Sequence, residues 1–348
     1  MRVCVVGAGL AGSLLTWRLV RATTWRIDLV RGKRDADATA ASGGAVRGYE
    51  TDPELRRLAT ASMVELLASR TLRGWAGYRP TGSLYLRPAG TGVSTELADI
   101  DAVLPGSASV VAGRELAGLG VAVPDGVVAV RERLAGYVSP AGLRDAVLRD
   151  PVIRRRVRVL PAEVGAIVPD RDGAIGCDVD GERRGYDVVV LATGPWTPAV
   201  LRANDLPADA YRTRSIQYCL HTAGDWRPPQ FVDELTGAYG RPTTDGGLLL
   251  GVPTERWDVD PDRPAVRPEL PAAAAALAAS RFPRLRLGPA GRTVSAADCY
   301  TEWPGLALRP VLAGGHRLFT FTGGSGGSAK TVLAASQRAA VQLTEPAS

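Results

Sequence analysis

Hydrophobic positions along the chain switch between the spacing of strands and the spacing of helices. Residues 2–6 (RVCVV) form a short apolar run rich in β-branched side chains, which indicates a buried strand. Residues 13–20 have the apolar spacing of a helix, and residues 26–30 (RIDLV) are predicted to form a second strand. The first thirty residues are therefore predicted to form a β-α-β unit.

The same patterns predict further elements along the rest of the chain. Helices are expected over 52–67, 140–149, 270–280 and about 329–343, and strands over 82–87, 186–192, 248–252 and 317–322. Ser139 is the expected N-cap of the second of these helices, because a proline follows it at the first helical position. Both ends of the chain thus show a strand, a glycine-containing loop and a helix, which predicts two helix N-termini at one sheet.

Length and composition place the chain among ordinary globular proteins. It has 348 residues, of which 45% are hydrophobic and 22% charged, so one large domain or two closely joined domains is expected. No apolar run approaches the roughly 18 residues that a membrane span needs. The first strand begins at residue 2, which leaves no room for a signal peptide. The four cysteines lack metal-ligand spacing, which favours a reduced, cytoplasmic protein.

The net charge of +6 is carried by arginine rather than lysine. Only Lys33 and Lys330 are lysines among the 42 basic residues, and the arginines are spread along the chain, so nucleic-acid binding is not expected. This bias is typical of a GC-rich genome. His221 and His316 are the only histidines, which argues against zinc sites and Ser-His-Asp hydrolysis. No metal site is predicted.

A glycine motif follows the first strand. Gly7, Gly9 and Gly12 have the G-x-G-x-x-G spacing, and they open the first predicted helix. Such glycines allow a tight turn and a close approach of the backbone to a pyrophosphate, which the helix N-terminus attracts. Dinucleotide binding is therefore predicted, with a purely structural strand-to-helix turn as the alternative.

The second strand lacks the acidic residue that usually follows it in such folds. Arg31 stands at that place, and Lys33 and Arg34 come next. An arginine there can accept the 2′-phosphate of NADP, or it can lie on the adenosine of FAD. A solvated basic turn is the third interpretation, and the sequence alone leaves the three open.

Five segments, in family order, resemble the D-amino-acid oxidase superfamily of flavoproteins, in particular its glycine oxidase and sarcosine oxidase branch. They are the glycine motif at 7–12, ATAASGGA at 38–45, GYVSPAGL at 136–143, VLATGPWT at 190–197 and TGGSGGSAK at 322–330. The third and fifth are the most distinctive. The segments span nearly the whole chain.

The resemblance implies FAD as cofactor and an α/β (α+β) fold. A doubly wound Rossmann-type FAD-binding domain would consist of residues 1–80, 137–203 and 290–348, and a mostly antiparallel β-sheet substrate domain of residues 81–136 and 204–289. The residues that would bind FAD are Gly7, Gly9, Leu10, Ala11, Gly12, Arg31, Ala41, Ser42, Gly43, Gly44, Val164, Thr193, Gly194, Trp196, Gly323, Gly324, Ser325, Gly326, Gly327 and Lys330.

The resemblance also implies a reaction. Family members oxidise the C–N bond of a small amine or amino acid by hydride transfer to flavin N5, which gives an imine, and O2 or another acceptor takes the electrons. The expected catalytic residues are Arg47, Tyr239, Trp303 and Arg309, and the expected substrate contacts are Tyr49, Tyr218 and Arg241. Among them Arg47, Arg241 and Arg309 are candidate carboxylate anchors. A role in bacterial specialised metabolism is a further expectation.

Two departures from the family pattern concern the flavin. Many relatives attach FAD to a cysteine before a Tyr-Thr pair, but anchoring on Tyr300-Thr301 puts Asp298 at that position and Cys299 one residue later. The lysine that speeds reaction with oxygen in this branch is replaced by leucine in strand 248–252. We therefore expect non-covalent FAD and doubt an efficient oxidase. An NADP-dependent oxidoreductase, a flavin reductase and a non-redox protein that keeps the fold remain as alternatives.

Overall fold

The computed structural model of the protein describes residues 1–32, 37–90, 92–169, 174–312, 315–324 and 326–345. Its strands are β1 (Arg2–Val6), β2 (Arg26–Val30), β3 (Ala45–Val46), β4 (Arg79–Pro80), β5 (Ser83–Pro88), β6 (Ala108–Ala112), β7 (Val127–Glu132), β8 (Gly136–Tyr137), β9 (Val157–Leu160), β10 (Val164–Pro169), β11 (Ile175–Val179), β12 (Glu182–Tyr186), β13 (Val188–Leu191), β14 (Tyr211–Ala223), β15 (Gln230–Asp233), β16 (Tyr239–Pro242), β17 (Leu248–Gly251), β18 (Leu287–Thr301), β19 (Ala307–Pro310) and β20 (Leu318–Thr322).

The α-helices are α1 (Leu10–Ala22), α2 (Pro53–Ala68), α3 (Arg70–Ala76), α4 (Val93–Asp101), α5 (Gly113–Gly118), α6 (Pro140–Arg149), α7 (Pro151–Arg156), α8 (Thr197–Arg202), α9 (Leu270–Arg281) and α10 (Val332–Thr344). Two 3₁₀ turns, Gly194–Trp196 and Ser328–Lys330, precede α8 and α10. None of the helices in the described ranges is long and apolar enough to cross a membrane.

A six-stranded sheet has the order β19-β20-β13-β1-β2-β9. Its strands are parallel except β19, which pairs antiparallel with β20 at one edge. β1 is central, with Val3 opposite both Val188 and Ile27. Apolar residues fill β1 and β13 on both faces, as expected for parallel strands buried on two sides.

The two faces of this sheet are covered differently. Val3 and Val5 of β1 pack in one core with residues of α1, α2, α6 and α10. Cys4 and Val6, which point the other way, pack in a second core with the antiparallel sheet β10-β11-β12. A doubly wound sheet carries helices on both faces, whereas this sheet has a three-stranded antiparallel sheet and the short helix α8 on its second face.

An eight-stranded sheet has the order β18-β14-β17-β16-β15-β5-β7-β6, in which only β15 and β5 pair in parallel. One of its faces packs on α9, where Phe231 and Leu250 contact a core that includes Ala278 and Phe282. The opposite face turns toward the six-stranded sheet. The space between the two sheets contains the candidate site.

The predicted α/β class, with a Rossmann-type sheet and a mostly antiparallel sheet, is confirmed by this architecture. The predicted boundary at residue 290 lies inside β18, which pairs with β14 from Thr301 to Leu287 and so belongs to the large sheet. The strand predicted over 186–192 consists of the end of β12 and of β13. The last helix begins at Val332, three residues later than predicted, because the turn Ser328–Lys330 precedes it.

Both strand-loop-helix units lie in the six-stranded sheet. β1 leads into α1 and β20 leads into α10, and the two strands are separated only by β13. The N-termini of α1 and α10 therefore lie at the carboxyl edge of the same sheet, as the sequence predicted. In open α/β sheets this edge is where ligands bind.

Candidate cofactor and substrate site

Two adjoining cavities lie at the carboxyl edge of the six-stranded sheet. Their volumes are about 430 Å³ and about 260 Å³. They meet where the first turn of α1 approaches the loop after β13, and the residues that line both are Gly9, Ala38, Thr39, Ala192 and Gly194. We call them the large cavity and the small cavity. Together they form one elongated cleft.

The glycines at the junction of β1 and α1 allow close backbone approaches beside the cleft. Gly7 has a φ of +110°, and a Cβ there would lie 2.2 Å from the carbonyl oxygen of Ala192. A Cβ at Gly12 would lie 1.9 Å from the carbonyl oxygen of Gly7. Thr39 Oγ1 accepts from the N–H of Leu10 at 3.0 Å, and the first turn of α1 has no acidic residue. The positive end of the helix dipole therefore faces the cleft and suits an anion such as a pyrophosphate.

The small cavity collects five of the residues expected to bind FAD. They are Gly7, Arg31, Val164, Thr193 and Trp196. Glu163 and Asp37 line it as well, and sequence reasoning missed both. Glu163 lies between β9 and β10 and not at the end of β2. No local sequence motif therefore predicts its place in the cavity. Lys33 and Arg34 lie outside the described residues.

The large cavity collects most of the remaining residues expected at FAD. They are Leu10, Ala11, Ala41, Ser42, Gly43, Gly44, Gly323, Gly326, Gly327 and Lys330. Gly9 and Gly194 line both cavities. Gly12 and Gly324 pack behind the cleft and line neither cavity, and Ser325 lies outside the described residues. An elongated dinucleotide bound here would meet glycine-rich backbone along the whole cleft.

Arg47 and Lys330 share one carboxylate beside the large cavity. Arg47 Nη2 and Lys330 Nζ each lie 2.7 Å from Glu50 Oε1, and all three side chains are buried. Burial alone would raise the pKa of Glu50, but the two cations lower it below its ordinary value. Arg47 Nε also donates to the carbonyl oxygen of Tyr49 at 3.0 Å. Arg47 is therefore already engaged within the protein.

Arg241 differs from Arg47 because part of its guanidinium is open to the large cavity. Its Nε donates to the carbonyl oxygen of Gly43, and its Nη1 donates to that of Pro242 at 2.8 Å. The guanidinium lies 4.2 Å from the ring centre of Tyr137. Burial lowers the pKa of Arg241. In the described part of the chain Nη2 has no hydrogen-bond acceptor, so it can bind an anion in the cavity.

Three residues expected at the substrate lie elsewhere. Trp303 is 47% exposed and covers the guanidinium of Arg309 at 5.2 Å. Arg309 donates to the carbonyl oxygens of Gly305 and Thr322 at 3.1 Å and 3.4 Å, which holds the turn between β18 and β19 against β20. Neither side chain lines the two cavities.

Tyr49 is the third of these residues. It is fully buried in a small core with Val93, Ile100 and Val130. Its hydroxyl donates to Glu96 Oε2 at 2.6 Å and accepts from Arg87. Tyr49 therefore lies in a separate core and lines neither cavity.

The face of the eight-stranded sheet that meets the cleft carries aromatic and apolar side chains. Tyr218, Tyr239 and Tyr300 line the large cavity, with Ile216 and Leu249 between them. The Tyr239 hydroxyl donates to the carbonyl oxygen of Gln217 at 3.1 Å, and burial raises its pKa. These rings form one wall of the cavity.

Asp298 and Cys299 point to opposite faces of β18. Asp298 lies opposite Arg214 of β14 and lines the large cavity. Cys299 is 2% exposed and packs in the core between the six-stranded sheet and the sheet β10-β11-β12. Burial raises the pKa of Cys299 to about 12, so its thiol is protonated at neutral pH. Cys299 is therefore an inert core residue, in agreement with the sequence-based preference.

We expect FAD to leave the protein on acid denaturation, because no cysteine described here lines either cavity. The measurement is the flavin absorbance of the supernatant and of the pellet after acid precipitation. Cys299→Ser is expected to retain its flavin content. Flavin that stays in the wild-type pellet but is released from Cys299→Ser would contradict the assignment of Cys299 to the core.

Asp298 gives the cleft a titratable group with an unusual acidity. Burial raises its pKa from 3.8 to about 6. The folded protein therefore holds this proton more tightly than the unfolded chain, so the contribution of Asp298 to stability falls as pH rises from about 4 to about 6. Asp298→Asn is expected to raise the free energy of unfolding at pH 8 by up to about 3 kcal/mol, and by much less at about pH 4.

Thermal unfolding of the holoenzyme at both pH values tests the expectation for Asp298. Asp258→Asn is a matched control, because Arg212 lowers the pKa of Asp258 at the surface and the stability change should have the opposite sign. Equal shifts of the unfolding temperature at pH 4 and pH 8 in Asp298→Asn would show that Asp298 is not desolvated.

The fold and the cleft define a flavin-dependent enzyme of the dinucleotide-binding class. The family model described as DAO, FAD dependent oxidoreductase, matches residues 2–341, and the chain belongs to this family. FAD is its cofactor, and the residues of the cleft fit FAD, since close backbone approaches and a helix N-terminus without an acidic residue in its first turn lie where the pyrophosphate would bind. Comparison with curated proteins found no significant match.

Solved structures share the fold along nearly the whole chain. L-proline dehydrogenase from P. horikoshii has a TM-score of 0.82 at 17% identity, covering 99% of this chain and 93% of its own. NikD, an amino acid oxidase of nikkomycin biosynthesis, has a TM-score of 0.76 at 17% identity, with 99% and 94% covered. Glycine oxidase from Geobacillus kaustophilus has a TM-score of 0.75 at 18% identity, with 98% and 94% covered.

Proposed function

We propose that the protein oxidises the C–N bond of a small amino acid whose carboxylate binds Arg241. The observation that carries this proposal is the open guanidinium edge of Arg241 in the large cavity, across from the glycine-rich backbone. The other two candidate anchors are engaged, Arg47 by Glu50 and Arg309 by backbone carbonyls. Proline dehydrogenase and two amino acid oxidases among the structural neighbours support an amino acid or amine as substrate.

The residues of the cavity supply position and a dry environment. Arg241 would orient the substrate through its carboxylate, and the rings of Tyr218, Tyr239 and Tyr300 would keep water away from the reacting carbon. FAD, when bound, accepts the hydride from the substrate, and the imine product hydrolyses in water. No strong base is required for this chemistry, which agrees with the two histidines of the chain.

We propose further that the small cavity holds the adenosine part of FAD. Arg31 and Trp196 would contact the adenosine, and Glu163 or Asp37 would accept hydrogen bonds from the ribose. Asp37 also pairs with Arg144, which lines the same cavity, at 2.6 Å. The NADP interpretation of Arg31 gives way to FAD, because FAD is the cofactor of the family.

The residues of β17 in the large cavity bear on which electron acceptor the enzyme uses. Leu249 of β17 lines this wall, in the strand where the resembling branch carries the lysine that promotes reaction with oxygen. Lys330, the lysine described in the cleft, is held in an ion pair with Glu50. We propose that an acceptor other than O2 is preferred. Turnover with an artificial dye compared with oxygen consumption measures this preference.

Anaerobic mixing of the purified holoenzyme with amino acids and amines tests the function. The panel contains glycine, sarcosine, L-proline and the other L- and D-amino acids, with methylamine, dimethylamine and pyrrolidine as counterparts that lack the carboxylate. Loss of the visible flavin absorbance with an amino acid supports the proposal. Loss with the simple amines alone contradicts the role of Arg241, and no loss with any compound supports a non-redox protein that keeps the fold.

A further inference from the structure

Gln230 is a buried side chain of the large cavity that lacks the partners its chemistry requires. It is 1% exposed, and neither its Nε2 nor its Oε1 has a hydrogen-bond partner in the described part of the chain. Nearly all buried polar groups in proteins are paired, because an unpaired one loses its hydration without compensation. An amide with both ends free on a cavity wall therefore indicates a ligand that pairs with it.

The strand register places Gln230 beside Arg241. Phe231 pairs with Gly240 and Val232 with Tyr239 across β15 and β16, so the next position along the antiparallel ladder puts Gln230 next to Arg241 on the same face. Both side chains line the large cavity. The cavity thus offers the open Nη2 of a guanidinium next to a free amide.

We propose that Gln230 is the residue that selects α-amino acids over simple amines and simple carboxylates. This inference rests on the proposed function and names the substrate class of that site. Gln230 Nε2 would donate to the carboxylate oxygen that Arg241 also holds, and Oε1 would accept from an N–H of the α-nitrogen. An α-amino acid offers both partners on neighbouring atoms, whereas an amine or a carboxylic acid alone leaves one end of the amide unpaired.

The neighbouring side chains strengthen this selection. Val232 and Leu249 line the same wall and offer no polar atom to a ligand. A substrate that leaves Nε2 or Oε1 unpaired therefore loses binding energy. Secondary amino acids satisfy the same pair, because one N–H is sufficient for Oε1.

The test compares Gln230→Met with the wild-type holoenzyme. Methionine keeps the length of the side chain and removes both polar ends, so a rise in unfolding temperature without substrate is expected together with weaker amino-acid binding. Glycine, sarcosine and L-proline are titrated anaerobically against methylamine, dimethylamine and pyrrolidine, and both the change in flavin spectrum and the rate of flavin bleaching are recorded. The dissociation constants of the amino acids should rise about 10- to 100-fold, and those of the amines should hardly change.

Gln217 provides the matched control for the stability measurement. Its amide already pairs with the backbone of Arg267, with Nε2 donating to the carbonyl oxygen and Oε1 accepting from the N–H, both at 2.7 Å. Gln217→Met is therefore expected to lower the unfolding temperature, in contrast to Gln230→Met. A fall of similar size in both variants would show that Gln230 is paired within the protein and would overturn the proposal.

The remaining outcomes separate the proposal from the proposed function. Unchanged amino-acid binding in Gln230→Met, or a wild-type enzyme that binds none of the three amino acids, overturns the role of Gln230. A loss of FAD affinity in Gln230→Met without a change in amino-acid affinity assigns the amide to the cofactor and also overturns it. Selective binding that depends on Gln230 but bleaches no flavin supports the role of Gln230 while the proposed oxidation fails.

Discussion

Arg241→Met is expected to lower kcat/KM for the best amino-acid substrate by about 100- to 1,000-fold. The guanidinium is held in place by the carbonyl oxygens of Gly43 and Pro242, so its remaining N–H groups have a fixed direction into the large cavity. A fixed cation in a dry cavity binds a carboxylate more strongly than a mobile surface cation does. The measurement is steady-state turnover with an artificial electron acceptor.

The amines that lack a carboxylate separate substrate binding from damage to the site. Their kcat/KM should change little in Arg241→Met, since they do not use the guanidinium. Arg212→Met is the control variant, because Arg212 lies on β14 of the same sheet but pairs with Asp258 at the surface. An equal loss for amino acids and amines in Arg241→Met would contradict the anchoring role and indicate a disturbed loop at Gly43.

The ion pairs beside the large cavity support the choice of Arg241. Glu50 binds both Arg47 and Lys330, so the side chains of these two cations are held within the protein, with one carboxylate shared between them. Removing one partner of such a buried cluster leaves another charge unpaired, which is costly. We therefore interpret the cluster as the support of the loop 326–330 and interpret Arg241 as the group left for the substrate.

The cofactor half of the cleft can be predicted from the sequence because each of its parts carries its own local signal. The glycine spacing after an apolar strand locates the turn before α1, and the second glycine loop locates the turn before α10. The N-cap Ser139 is also predicted from a local pattern. Its hydroxyl accepts from the N–H of Gly142 at 3.0 Å, as the Ser-Pro pattern predicts. Such signals span a few residues and need no knowledge of distant contacts.

The substrate half of the cleft cannot be predicted in this way, because pairing between strands creates it. Arg214 faces Asp298 across β14 and β18, which are far apart along the chain, and Gln230 lies beside Arg241 across the consecutive strands β15 and β16. Alternation along one strand shows which residues share a face, but it does not show which strand is the neighbour. Gln230 consequently has no sequence signal beyond its position in a short apolar segment.

The expectations for Tyr49, Trp303 and Arg309 failed for a related reason. Each residue is close in sequence to a segment that contacts the cofactor cleft, but closeness along the chain does not fix the direction of a side chain. Tyr49 turns into a separate core, and Arg309 turns toward backbone carbonyls under Trp303. The direction of a side chain depends on the face of the strand or turn that carries it. That face is fixed only when the sheet is assembled.

Gly12→Ala is expected to abolish FAD binding and to lower the unfolding temperature strongly. The added Cβ would lie 1.9 Å from the carbonyl oxygen of Gly7 and 3.0 Å from the Cβ of Ala192, so backbone has to move at the junction of β1, α1 and β13. Overpacking against backbone cannot be relieved by a side-chain rotation. The measurements are the ratio of flavin to protein absorbance after purification and thermal unfolding.

Two further variants make the result for Gly12 specific. A Cβ at Gly74 of α3 meets nothing within 4 Å, so Gly74→Ala should keep FAD and stabilise the protein by about 1 kcal/mol, because alanine is the better helix former.

A Cβ at Gly9 meets only Thr39 Oγ1 at an ordinary 3.4 Å, but it projects where the pyrophosphate would approach the backbone. Gly9→Ala should therefore fold normally and bind FAD weakly. Normal FAD affinity in Gly9→Ala would contradict the placement of the pyrophosphate at this turn, since the variant tests that contact without disturbing the packing behind it.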